Sequence, residues 1–120
     1  MAGLPINIDP SVVATSPGTA VTATAIQTIY QPVTRSGTVT AGGTAQALMA
    51  ANATRRGWSL QNLSSGDLWI NELGGTAAAA QPAVQIAPGA SVVNVTNGVS
   101  LLAISLFGAT TGQAFAAREW

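Results

Sequence analysis

The stretch Gly57-Trp58-Ser59-Leu60-Gln61-Asn62, then Leu63-Ser64-Ser65-Gly66-Asp67, then Leu68-Trp69-Ile70-Asn71, decides how this chain is read. In the first segment Trp58 and Leu60 fall on one side of an extended backbone, and Gly57, Ser59 and Gln61 fall on the other. Residues two apart share a face in a strand, not in a helix. From Asn62 to Asp67 the Asn, Ser and Gly residues mark a turn, because their side chains bond nearby backbone or tolerate turn dihedrals. Leu68 and Ile70 then take one face and Trp69 the opposite one. Two short alternating runs joined by turn chemistry predict antiparallel strands with one face on a core.

The same reading extends in both directions. Downstream, Gly74 to Ala80 is a small-residue loop, and Val84 and Ile86 alternate up to a Pro88-Gly89 turn. Val93 and Val95 alternate up to Asn97-Gly98, a dipeptide that favours a two-residue hairpin. Ser100 to Phe107 is apolar on both faces, which predicts a strand covered on both sides. Gly108 to Gly112 forms a turn into a last strand from Gln113 to Trp120. Upstream, a strand runs over Gly37 to Ala41 ahead of Gly42-Gly43. Thr44 to Ala53 contains helix-favouring Ala, Gln, Leu and Met, but so short a helix is marginal alone, and a strand is predicted. Asn52 to Arg55 reads as a turn. Together these predict an all-β domain over residues 35–120, an antiparallel β-sandwich or jelly-roll-like fold.

Residues 1–34 differ. Pro5, Pro10, Pro17 and Pro32 punctuate a Thr/Ala/Val-rich stretch carrying one acid and no base. Disordered tails are charged and poor in β-branched residues, so this is not their signature. Ile6, Ile8, Val12, Val13, Val21, Ile26, Ile29 and Tyr30 are spaced along it. Burying these side chains recovers less free energy than ordering the backbone costs, unless the backbone also finds hydrogen-bonding partners. The simplest source is addition as a strand to a sheet edge. An extended N-terminal arm docking on a neighbouring subunit is expected; the alternative is a strand tucked onto its own domain.

Composition limits function more sharply than it does fold. Charged residues make up 7% of the 120, against about 25% in an ordinary domain. The bases are Arg35, Arg55, Arg56 and Arg118; the acids are Asp9, Asp67, Glu72 and Glu119. Lys, His and Cys are absent. No imidazole base, Schiff-base lysine, thiol nucleophile or Cys/His zinc site can be built from such a chain. Four scattered arginines offset by four acids make no basic stripe, so nucleic acid is not expected as a partner. Adjacent Arg55 and Arg56 read as solvated or ion-paired. The first ten residues lack a basic n-region, and Val99 to Phe107 is about half the length of a membrane-spanning helix. No leader and no membrane association are expected. Zero net charge and positive mean hydropathy leave a lone copy weakly defended against association.

The remaining constellations have plain structural readings. Asp67 and Glu72 lie five apart, on opposite faces of any strand joining them, which is poor geometry for a carboxylate pair. A calcium site at Asp67 and Asn71 would have a single carboxylate, and Asp after Gly in a turn more often bonds locally. Gly74-Gly75 lacks the lysine of a phosphate loop. No catalytic residue, cofactor or metal is expected. Trp58, in phase with Leu60, reads as core. Trp69 points away from Leu68 and Ile70, and three roles stay open for it: partner contact, cover beneath the 74–80 loop, or stacking on a sugar. Trp120 is unassigned.

Between Ala50 and Gly74 an Ala-Asn-x-x-Arg turn leads into Gly-Trp-Ser-Leu-Gln-Asn, followed by Ser-Ser-Gly-Asp and Leu-Trp-Ile-Asn. Val84-x-Ile86-Ala-Pro-Gly89 and a closing Gly112-Gln-Ala-Phe-Ala-Ala-Arg-Glu119 follow. Over residues 37–120 this order resembles the small β-sandwich virion structural proteins of tailed bacteriophages. Ala116-Ala117-Arg118 departs from the pattern, where β-branched residues are expected.

The resemblance implies a capsid decoration (cement) protein, non-enzymatic and homotrimeric, located in the virion and assembled in the bacterial host cytoplasm. Its implied partners are the major capsid protein or other virion proteins. Ile6, Ile8, Val12, Val13, Ile26, Ile29 and Tyr30 would carry the arm contacts, with Trp69 on the domain. A tail, baseplate or fibre-adaptor protein is the alternative within a virion. From another class comes a carbohydrate-binding module, with Trp69 as platform and Gln61, Asp67 and Asn71 as hydrogen-bonding neighbours.

Overall fold

The computed structural model describes residues 31–95 and 98–120. Nine strands follow in order: β1 Val33–Thr34, β2 Gly37–Thr38, β3 Gln46–Met49, β4 Trp58–Asn62, β5 Leu68–Asn71, β6 Val84–Ile86, β7 Ser91–Asn94, β8 Ile104–Gly108 and β9 Ala114–Glu119. No helix occurs among the described residues.

The strands form two antiparallel sheets packed as a sandwich. The first runs β1-β9-β4-β7, with β2 also on β9; the second runs β3-β8-β5-β6. β1 and β2 pair with β9 in one register, Thr34 opposite Arg118 and Gly37 opposite Phe115. Thus Val33 and Thr34, at the end of the segment read as an arm, already pair with β9. Between them Ser36 takes over the ladder: its Oγ accepts from the Ala117 N–H at 3.0 Å, and the Arg35 N–H donates to the Ala117 carbonyl at 2.7 Å. Of the consecutive strands only β5 and β6 pair with each other; from β2 onward every other connection passes from one sheet to its partner.

The core lies between the sheets, and the alternation of the sequence builds it. Trp58 and Leu60 on β4 are buried, as are Leu68 and Ile70 on β5, Ile104 and Leu106 on β8, and Phe115 and Ala117 on β9. Met49, Leu48, Val39 and Ile86 complete it. Each large aliphatic or aromatic side chain withdrawn in this way contributes about 1.5–3 kcal/mol. The ambiguous Thr44–Ala53 stretch is indeed extended, over Gln46–Met49.

Two expectations are corrected. The Asn97-Gly98 signal does not close a hairpin. Gly98 has a turn conformation (φ +88°), but β7 and β8 belong to different sheets, so the turn starts a crossing rather than a paired return. Asn97 itself lies outside the described residues. For the same reason the strand expected from Ser100 begins only at Ile104. The residues before it span the gap between sheets, and Leu101 and Leu102 face outward.

Candidate functional site

β5 turns Trp69 to the outside of the second sheet, as the phase of Leu68 and Ile70 requires, and its side chain is half-buried. Its cross-strand neighbours are Phe107 on β8 and Gln85 on β6. Cross-strand pairs involving aromatic rings are among the stronger contacts a sheet face makes. Gln85 Nε2 donates to Asp67 Oδ2 at 2.7 Å, placing one acid beside this surface.

The loop after β5 folds back over part of the same face. Asn71 is buried, its Oδ1 accepting from the Leu73 N–H at 2.8 Å. Opposite it in the sheet, Ser105 Oγ donates to the Gly75 carbonyl at 2.8 Å and accepts from the Ala77 N–H at 2.7 Å. These bonds fall on Asn71 and Ser105, while Trp69 keeps part of its surface in solvent. The grouping of Trp69 with Gln61, Asp67 and Asn71 is therefore not assembled. Gln61 projects from β4 on the other sheet, and Asn71 is spent on its own turn. Only Asp67, through Gln85, stays beside the indole.

The outer side of the first sheet is a shallow groove of about 600 Å³, with Thr34, Ser59, Gln61, Val93, Arg118 and Trp120 among its lining residues. Trp120, just past β9, is anchored on Gly57. Its N–H donates to the Gly57 carbonyl at 3.0 Å and its carbonyl accepts from the Gly57 N–H at 3.1 Å. Its indole lies so near Gly57 that a Cβ there would collide with the ring. β7 is the edge strand beside this groove and presents Val93 to solvent. It carries no proline and no charge, the usual guards of an exposed edge.

Arg55, Arg35 and Glu119 form one ion-paired cluster. Glu119 is buried and receives three donors: Arg55 Nε at 2.9 Å, Arg35 Nε at 2.8 Å and Asn52 Nδ2 at 3.2 Å. Burial pushes its carboxyl up, but hydrogen bonds from Arg55, Arg35 and Asn52, with the Arg55 charge, outweigh burial and hold it below the ordinary value of 4.5. Glu72 accepts from Asn94 Nδ2 at 3.3 Å. Among the described residues no three His, Cys, Asp or Glu side chains cluster as metal ligands would. Sequence reading paired Arg55 with Arg56 as neighbours and missed its partner Glu119; nothing local announces a contact across 64 residues.

Of the residues singled out for partner binding, Ile6, Ile8, Val12, Val13, Ile26, Ile29 and Tyr30 lie outside the described residues. Trp69 alone is placed. No protein-family model, curated protein or solved structure matches the chain.

Proposed function

We propose that this chain is a non-enzymatic structural protein of a virion, a capsid decoration (cement) protein. Its sandwich seats on the shell, and the residues ahead of β1 reach over neighbouring capsid or decoration subunits, with homotrimeric association on the particle. One observation carries this reading. In a chain with 7% charged residues, Arg55 and Arg35 both donate to Glu119, while apolar side chains such as Trp69 and Val93 face outward from the two-sheet sandwich. A surface of that kind is suited to being covered by other subunits.

The mechanism is mass action. A subunit that binds only the assembled shell, burying on the order of 1,000–2,000 Å² at its seams, stabilises that shell in proportion to its affinity. No reacting group is required.

Electron microscopy of particles labelled through this chain tests the role. Even coverage of the head is the expected result, and density at one end would move the protein to the tail, baseplate or fibre. Deleting residues 1–30 should leave a folded sandwich that decorates particles far more weakly. Equal decoration by the truncated chain would remove the arm from the proposal.

A further inference from the structure

The register of the first sheet fixes which side chains share its outer face. Thr34, Arg118, Ser59 and Val93 lie side by side across β1, β9, β4 and β7. Ala116, Gln61 and Ser91 form the next row. Trp120, two residues beyond Arg118, belongs to the same face and lines the same groove. Short side chains at Ser59, Ser91 and Ala116 leave the face recessed. Its volume of about 600 Å³ falls within the range of small-molecule sites, about 300–1,000 Å³.

Arg118 is the one charged side chain lining the groove, and it is exposed. The described acids are engaged elsewhere: Glu119 with Arg55, Arg35 and Asn52, Asp67 with Gln85, and Glu72 with Asn94. The guanidinium therefore presents its five N–H donors to the groove with no acid against it. The hydroxyls of Ser59 and Ser91 make no hydrogen bond to any described residue, and Gln61 Nε2 reaches the Gly89 carbonyl only at 3.5 Å. Hydroxyl and amide groups both donate and accept, as the hydroxyls of a sugar do.

We infer that this groove binds an acidic saccharide, its carboxylate on Arg118 and its hydroxyls on Ser59, Gln61 and Ser91. The planar guanidinium matches a carboxylate with two parallel bonds. The Trp120 indole supplies the electron-rich apolar surface against which sugar C–H groups pack. A nucleic acid would need several cations rather than one. An extended peptide pairs with a sheet edge, whereas the face of paired strands has no free backbone groups to give it. This site lies on the opposite sheet from Trp69 and does not depend on the virion role.

Nuclear magnetic resonance titration of the full chain tests the site without any particle present. The probes are trigalacturonic acid, its neutral counterpart galactotriose, and hexaglutamate. Trigalacturonic acid should saturably shift the signals of residues 59, 61, 91 and 118 and the Trp120 indole. Galactotriose should bind about tenfold more weakly or worse, the effect of losing one charge-assisted contact. Arg118→Gln should bring the two sugars to the same level. Raising sodium chloride on the unmodified chain should weaken trigalacturonic acid alone, a readout that needs no variant to fold. Shifts absent from these residues, equal affinity for the two sugars, or a preference that survives Arg118→Gln or salt would overturn the inference. Tighter binding of hexaglutamate at the same residues would also overturn it and assign the groove to an acidic polypeptide.

Discussion

Arg55 Nε lies 2.9 Å from Glu119 Oε1, and both side chains are withdrawn from solvent although 64 residues separate them. The same guanidinium donates to the carbonyls of Ala50, Ser100 and Leu102 at 2.7, 2.7 and 2.9 Å. Four of its five N–H groups are thus engaged. One residue ties the end of β9 to the segment after β3 and to the crossing that precedes β8.

Removing Arg55 takes one of three donors from the buried Glu119 carboxylate and leaves three carbonyls without theirs. Arg55→Met should cost about 3–5 kcal/mol, read as a lower urea midpoint at unchanged slope. The double variant Arg55→Met/Glu119→Leu should lose less than the two single changes added together, since neither charge is then left alone. Strict additivity would mean that the pair is not coupled.

Stability should depend on pH through Glu119. Its folded carboxyl is held below the ordinary value of 4.5, so the unfolded chain takes up the proton first. The stabilisation is complete above the unfolded value and drains as pH falls through the folded one. The urea midpoint should hold level near neutrality and decline below pH 4.5, with a smaller decline in Glu119→Gln. Equal slopes in the two proteins would assign the acid response to other carboxyls.

Asn62 is fully buried and satisfied on both sides of its amide. Its Nδ2 donates to the carbonyls of Gly66 and Ile86 at 2.7 and 2.8 Å, and its Oδ1 accepts from the N–H and hydroxyl of Ser64. Asn62→Ala should cost about 1–3 kcal/mol per partner group left unsatisfied. Asn62→Asp should be worse, because a carboxylate would face two carbonyls. Thermal melts of both variants check the order; an aspartate variant as stable as the parent would contradict it.

Gly57→Ala should dislodge the Trp120 indole, at a cost of about 1–3 kcal/mol for overpacking. Near-ultraviolet circular dichroism would register the displaced ring. In a Trp120→Ala background the same change should be almost silent, and an undiminished cost there would place the strain elsewhere.

Legibility in the sequence followed range. Trp58 with Leu60, and Leu68 with Ile70, were assigned to the core by phase alone, and all four are buried. Phase also turned Trp69 outward. Beyond the nearest turn the same reasoning weakened: Gly98 was correctly placed in a turn, yet the turn leads to the opposite sheet. The apolar run after it suggested a doubly covered strand, whereas Leu101 and Leu102 are held outward by donors from Arg55 and Asn52.

What the order of residues settles is local. Alternation with period two follows from the covalent geometry of an extended chain, so strand identity, inward face and turn position can be read one segment at a time. Which strands become neighbours is a global matter, because each candidate pairing competes with every other across the whole chain. The Arg55–Glu119 pair, the separation of β7 from β8 and the outward leucines all arise from that competition. Their energies reside in contacts between distant segments, which no window of sequence contains.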